Sequence, residues 1–118
     1  MPIEIRRATR ADVPRIVELV RALARYEREP DAVVATEEDY LRDGFGMDPA
    51  FHVHVATDGG EVVGFALWFF TWSTWRGRRC LHLEDLFVLP EHRKKGAGLA
   101  LMRALASEAV STGCARFV

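Results

Sequence analysis

Between Leu83 and Leu99 the chain reads LEDLFVLPEHRKKGAGL, and this segment restricts the fold more than any other. An apolar run of strand character ends at Val88. Pro90 blocks its continuation, because proline cannot donate to a sheet ladder. A basic turn, Arg93-Lys94-Lys95-Gly96-Ala97-Gly98, then opens a helix. The first N–H groups of a helix have no internal partner, and the helix dipole adds partial positive charge there. Gly96 and Gly98 let the backbone approach a ligand with no side chain between. Arg93, Lys94 and Lys95 add charge. The turn describes a cradle for an anion, above all a pyrophosphate. An ordinary helix entry with solvated basic side chains is the competing reading.

The rest of the chain can be read by periodicity. Ile3 to Arg7 alternates apolar and charged residues, as a short strand does. Thr9 and Asp12 have the spacing of a capping box. Val13, Ile16, Val17, Val20, Leu23 and Ala24 follow as one stripe of a helix that fades near Tyr26. A shorter helix is expected from Thr36 to about Gly44 and Gly46. Phe51–Thr57 and Glu61–Trp72 form a hairpin about the turn Asp58-Gly59-Gly60. A polar loop from Ser73 to Arg79 holds Trp75, and Cys80–Val88 is the next strand. Gly98–Ser111 is a helix with Leu99, Met102, Ala106, Ala109 and Val110 on one side, stopped at Gly113. Cys114–Val118 begins another strand. This order describes one α+β domain, a mixed α/β sandwich. An exposed strand edge at Phe117-Val118 is unusual for a folded domain, so the natural protein is expected to continue.

Composition excludes several classes. A chain of 118 residues, 49% of them hydrophobic, builds one domain with a real core. Seventeen acidic residues against sixteen Lys and Arg leave a net charge of -1, without the basic excess of a nucleic-acid binder. No apolar run is long enough to cross a membrane, and the N-terminus MPIEIRRATRADV lacks a secretory apolar stretch. Cys80 and Cys114 then read as free thiols, and the expected address is the cytoplasm. His52 and His54 share a strand face, as do His82 and Glu84, but no cysteine–histidine spacing supports a metal.

Known phosphate motifs separate cleanly at the turn. A Rossmann fingerprint needs a third glycine where this chain has Leu101, and a P-loop needs Lys-Ser or Lys-Thr where it has Leu99-Ala100. What matches is Arg93-x-x-Gly96-x-Gly98 after a strand ending Val88-Leu89-Pro90. This is the signature Arg/Gln-x-x-Gly-x-Gly/Ala, and with it the chain resembles the GNAT N-acetyltransferases. Further segments resemble their diamine (spermidine/spermine) branch and its thialysine-acetylating relatives. They are Ile5-Arg6-Arg7-Ala8-Thr9, Leu23-Ala24-Arg25-Tyr26-Glu27, Asp43-Gly44-Phe45-Gly46, Val63-Gly64-Phe65-Ala66 and Leu83-Glu84-Asp85-Leu86-Phe87-Val88.

The resemblance implies a GNAT fold, a mixed and mostly antiparallel sheet flanked by helices, here lacking its C-terminal strands and last helix. It implies acetyl-coenzyme A as cosubstrate. Backbone groups of Leu86, Phe87 and Val88 would meet the pantetheine arm, and Arg93, Lys94, Lys95, Gly96, Ala97, Gly98 and Leu99 the pyrophosphate. Tyr26, Glu27 and Glu84 fall on the amine side. An alkyl ammonium has a pKa of about 10.4 and cannot attack a thioester until it loses its proton. A carboxylate attracts that cation and accepts the proton, which makes Glu84 the expected base. Strand alternation would turn Asp85 to the opposite face. Trp75, in its loop, is expected as a substrate wall. The Arg76–Arg79 cluster reads as solvated, with contact to the adenosine 3′-phosphate or to an acidic partner the lesser alternative. The family's thiolate-protonating tyrosine lies in a later helix and matches neither Tyr26 nor Tyr40. The family is commonly dimeric, so a homodimer is an expectation. A non-catalytic acyl-coenzyme A sensor, or an enzyme acting on protein N-termini or lysines, would use the same turn.

Overall fold

A computed structural model describes residues 2–118. Strand β1 (Ile3–Arg7) leads through a single 3₁₀ turn into helix α1 (Val13–Tyr26), then α2 (Glu37–Gly44). Strands β2 (His52–Asp58), β3 (Glu61–Ser73) and β4 (Arg78–Val88) follow as a meander. A 3₁₀ segment, Pro90–Lys95, enters helix α3 (Ala97–Ser111), and β5 (Arg116–Phe117) returns to the sheet. The five strands lie in sequence order, antiparallel except for the parallel pair β4–β5. A parallel pair needs a crossover, and α3 supplies it.

Two cores occupy opposite faces of the sheet. Alternation along β2 and β3 sends Val53, Val55, Phe65 and Leu67 toward α1, where Ile16 and Leu19 meet them. It sends Ala56, Ala66 and Trp68 toward α3, where Ala97, Leu101 and Leu105 meet them. Full burial of such side chains contributes about 1.5–3 kcal/mol each. Trp68 is wholly buried, and its indole N–H donates to His54 Nδ1 at 3.0 Å, so its polar atom is satisfied inside the core.

Helix starts follow local chemistry. Thr36 caps α2 by accepting from the Asp39 N–H at 3.2 Å, and Asp39 accepts from the Thr36 N–H at 2.9 Å. At the first helix, Asp12 accepts from the Thr9 N–H at 2.7 Å and from both terminal nitrogens of Arg6, at 2.7 and 3.0 Å. These bonds hold its carboxyl down at about 2. A Cβ at Gly44 would collide with the Phe51 ring, and Phe51 stands edge-on to Tyr40 at 5.7 Å. This close approach fixes the end of α2 against the sheet.

The sequence expectation for α3 needs correction. Its buried positions are Ala97, Leu101, Leu105 and Ala109, whereas Leu99, Met102 and Val110 are exposed. This helix is apolar nearly all round, so spacing alone could not choose the buried side. In α1, Leu19 joins the core although the predicted stripe omits it.

Candidate active site

Glu84 lies at a break in register. Leu67 pairs with Asp85 and Trp68 with Leu83, so Glu84 is an extra residue without a cross-strand partner. Such a bulge bends the strand and resets its alternation. The outcome corrects the expectation for Asp85. Both Glu84 and Asp85 line one groove of about 280 Å³ between β4 and α2, together with Leu67, Phe51, Tyr40, Ala35, Asp39 and Asp43. Carboxylates dominate its polar lining.

These groups influence one another. Asp85 is half-buried, and burial raises its pKa, with further upward pushes from the charges of Glu84 and Glu27. Burial also raises the Tyr40 hydroxyl, helped by the charge of Asp85. Glu84 is half-exposed and lies 3.7 Å from His82 Nε2, an ion pair only when that imidazole is protonated. The groove therefore combines a solvated carboxylate with one whose proton affinity is raised by burial and neighbouring charge, an arrangement that attracts a cation and can accept its proton.

Beyond the carboxylates, β4 runs through Leu86, Phe87 and Val88 into the basic turn. Gly96 caps α3 with φ at 81°, a left-handed conformation that glycine adopts without strain. No side chain caps this end, and the first bond closing the helix runs from the Ala100 N–H to the Gly96 carbonyl at 3.0 Å. The N–H groups of Ala97, Gly98 and Leu99 therefore precede the helical ladder. A Cβ at Gly96 would meet nothing within 4 Å, and one at Gly98 only Leu86 Cδ2 at 3.9 Å. Neither glycine is demanded by protein packing. The open space beside them is of the kind a phosphate could fill.

The basic side chains divide their roles. Arg93 does not extend over the turn. Its Nε donates to the Val88 carbonyl at 2.9 Å, and its guanidinium lies 4.5 Å from the Tyr26 ring centre and 5.5 Å from that of Phe87. Lys95 bonds Asp58 Oδ2 at 2.6 Å. Lys94 is exposed and forms no ion pair among the described residues. Tyr26 ends α1 and Glu27 follows it, close enough to act on Asp85. Tyr26 thus packs by the turn through Arg93, whereas Glu84 lines the groove, and Glu27 acts on Asp85 from the end of α1.

Trp75 stands elsewhere. It is 98% exposed and lines a separate cleft with Ser73, Arg76, Cys80 and Arg116. The Arg76–Arg79 cluster belongs to this same end of the sheet. Arg78 begins β4 and Val88 ends it, eleven residues along an extended strand, so the cluster and the phosphate turn occupy opposite ends. Cys80 is buried and Cys114 half-buried, both as free thiols. No cluster of three or more His, Cys, Asp or Glu able to hold a metal occurs among the described residues, and no helix is long and apolar enough to cross a membrane.

Known proteins resemble this chain in sequence and fold. The pattern of the Acetyltransferase (GNAT) family matches residues 14–118. Thialysine N-epsilon-acetyltransferase of Sus scrofa is 39% identical over 121 residues, spanning 96% of this chain and 71% of that protein. Spermidine/spermine N(1)-acetyltransferase-like protein 1 of Homo sapiens is 36% identical over 118 residues, spanning 94% of this chain and 17% of that protein. Among solved structures, an integron cassette protein from V. cholerae superposes with a TM-score of 0.78 at 29% identity, covering 100% of this chain and 74% of its own. A ribosomal-protein-alanine N-acetyltransferase from Brucella melitensis shares the fold with a TM-score of 0.80 at 22% identity, covering 100% and 79%. With the bulged strand, the uncapped glycine turn and these relatives together, the chain belongs to the GNAT acetyltransferase family, on the branch of its thialysine and spermidine/spermine relatives, and is an acetyltransferase.

Proposed function

We propose that this acetyltransferase moves the acetyl group of acetyl-coenzyme A onto a primary amine of a small cationic substrate, a polyamine or lysine-like amine. The observation that carries the substrate class is the groove between α2 and β4, where Asp39, Asp43, Glu84 and Asp85 converge. An apolar or anionic acceptor would gain nothing from such a lining, whereas an ammonium is attracted and oriented by it.

The pyrophosphate of the cosubstrate is assigned to the N–H groups of Ala97, Gly98 and Leu99, with Lys94 adding charge. The open space beside Gly98 supports this assignment. Acetyl-coenzyme A, when bound, supplies an activated thioester carbonyl. The backbone of Leu86 to Val88 lines the path from the turn to the carboxylates. Glu84 holds the substrate ammonium and takes its proton, directly or through water, leaving a neutral amine to attack. Asp85 adds attraction and is a second proton acceptor. Neither cysteine lies in the motif, so attack is direct, with no acyl-enzyme.

An amine panel assayed by thiol release tests the reading. Polyamines and lysine analogues should release thiol from acetyl-coenzyme A, and peptides should release little. Efficient acetylation of peptides with no response to small diamines would overturn the substrate class. Cofactor binding without thiol release from any amine would instead mark a sensor.

A further inference from the structure

Lys95 occupies the middle of the basic turn, but its ammonium is committed to another part of the fold. Asp58 closes β2 at the β2–β3 hairpin, with its side chain only 9% exposed. One of its oxygens, Oδ2, lies 2.6 Å from Lys95 Nζ and 3.1 Å from His92 Nδ1. Lys95 Nζ and His92 Nδ1 are themselves 3.2 Å apart. A single carboxylate oxygen from the hairpin thus gathers two side chains of the 3₁₀ segment that precedes Gly96. The Lys95 bond holds the Asp58 carboxyl below its usual range, with His92 acting in the same direction.

Two other ties fix the same segment. The Leu89 N–H donates to the Val63 carbonyl at 2.9 Å, and Arg93 Nε to the Val88 carbonyl at 2.9 Å. The segment is short, and its exit residue Gly96 is conformationally permissive. Without an anchor near its end, the direction in which the Ala97, Gly98 and Leu99 N–H groups point would be free to vary. Asp58 supplies that anchor from a rigid antiparallel hairpin.

We propose that Asp58 is a positioning residue for the phosphate-binding turn, and that Lys95 serves the cosubstrate through this anchor and not as a phosphate ligand. The proposal rests on the assignment of the pyrophosphate to Gly96–Leu99. It revises the role expected of Lys95 from the sequence, in which all three basic residues of the turn face the phosphate. The anion is then met by oriented backbone donors, a fixed array that needs no ordering of a long side chain at the moment of binding.

The two roles for Lys95 predict opposite results for Asp58→Asn. A positioning pair behaves as one unit, so its members are non-additive in a double-mutant cycle. Calorimetry with coenzyme A should show Asp58→Asn and Lys95→Met each weakening binding roughly three- to tenfold, with the double variant within about twofold of either single one. Lys95→Arg, which keeps the ion pair, should stay within about twofold of the parent. Amide hydrogen exchange at Ala97, Gly98 and Leu99, measured without coenzyme A, should accelerate in Asp58→Asn and in Lys95→Met. If Lys95 loses affinity on truncation while Asp58→Asn keeps or gains it, Lys95 is a direct ligand and the proposal is overturned. Unchanged exchange in both variants would overturn it as well. Should Asp58→Asn fail to fold, the exchange of Lys95→Met decides alone. If the parent protein does not bind coenzyme A, the cosubstrate assignment falls, while exchange still reports whether the anchor orders the turn.

Discussion

Glu84 and Asp85, adjacent in the chain, face the same groove because Glu84 is the unpaired residue of a bulge in β4. In a regular strand they would oppose each other across the sheet. Their proximity, with Glu27 nearby, raises the Asp85 pKa beyond what burial alone does. A carboxyl whose folded pKa is raised favours folding most when protonated. Its contribution is present below the unfolded pKa and is lost as pH rises through the folded one. Asp85→Asn should therefore raise the melting temperature at neutral pH, with the gain shrinking as both proteins are acidified. Turnover with cationic amines should fall. Paired thermal melts and rate measurements check both signs, and a lower melting temperature at neutral pH would contradict the repulsion described here.

For Glu84, half-exposed and hydrogen-bonded to nothing in the sheet, Glu84→Gln keeps the shape and removes the charge. Amine turnover should drop while coenzyme A affinity stays within about threefold, or roughly 0.7 kcal/mol. Steady-state kinetics beside calorimetry separate the two. An equal loss in both would assign Glu84 to the fold and not to the amine.

Gly98 offers a test that separates stability from binding. Its φ is not in the left-handed range, and a new Cβ would meet only Leu86 at 3.9 Å. Gly98→Ala should stabilise the protein by about 0.5–1 kcal/mol, because alanine has less freedom to lose on entering a helix. Coenzyme A binding should stay within about threefold in Gly98→Ala, since the signature admits alanine there, and weaken at least tenfold, about 1.4 kcal/mol, in Gly98→Val, whose branched side chain occupies space assigned to a phosphate. Gly96→Ala, at φ 81°, should destabilise the fold. Denaturation and calorimetry on the three variants read out each expectation.

Asp12 sets the acid limb of stability. Arg6 and the Thr9 N–H hold its carboxyl at about 2, below the 3.8 of an unperturbed aspartate. A depressed pKa stabilises above the unfolded value, and the contribution disappears as pH falls through the folded one. Asp12→Asn should cost about 1–2 kcal/mol at neutral pH. The gap from the parent should close as pH drops from about 4 toward 2. Urea titrations across that range would expose a pH-independent gap, the outcome that rejects this account.

Much of this architecture was legible before any coordinates. The strands and helices fall close to their expected spans, because β1 alternates, β3 is a continuous apolar run bounded by a glycine turn and a polar loop, and the stripe in α1 has one dominant period. The turn into α3, to which the pyrophosphate is assigned, was legible from Pro90, Gly96 and Gly98. The bulge also left a trace that strict alternation passes over. Leu81 and Leu83 keep one phase, and Leu86 and Val88 the same face only if one residue is added between them. The destinations of Lys95 and Arg93 were not legible. Their partners Asp58 and Tyr26 lie far off in sequence, and only the packing of the turn on the β2–β3 hairpin and on α1 brings them near. The buried side of α3 was hidden by a helix apolar on nearly every face.

Arg93 places one guanidinium against the Tyr26 ring, the Phe87 ring and the Val88 carbonyl. Tyr26 belongs to the side assigned to the amine, and Arg93 to the loop assigned to the cosubstrate. A molecule that orders or displaces either partner changes the freedom of the other, and such an influence has the same magnitude in both directions. Whatever advantage a bound cosubstrate confers on amine capture through this stack, the bound amine returns to cosubstrate retention. A single side chain thereby ties the affinity for either ligand to the presence of the other.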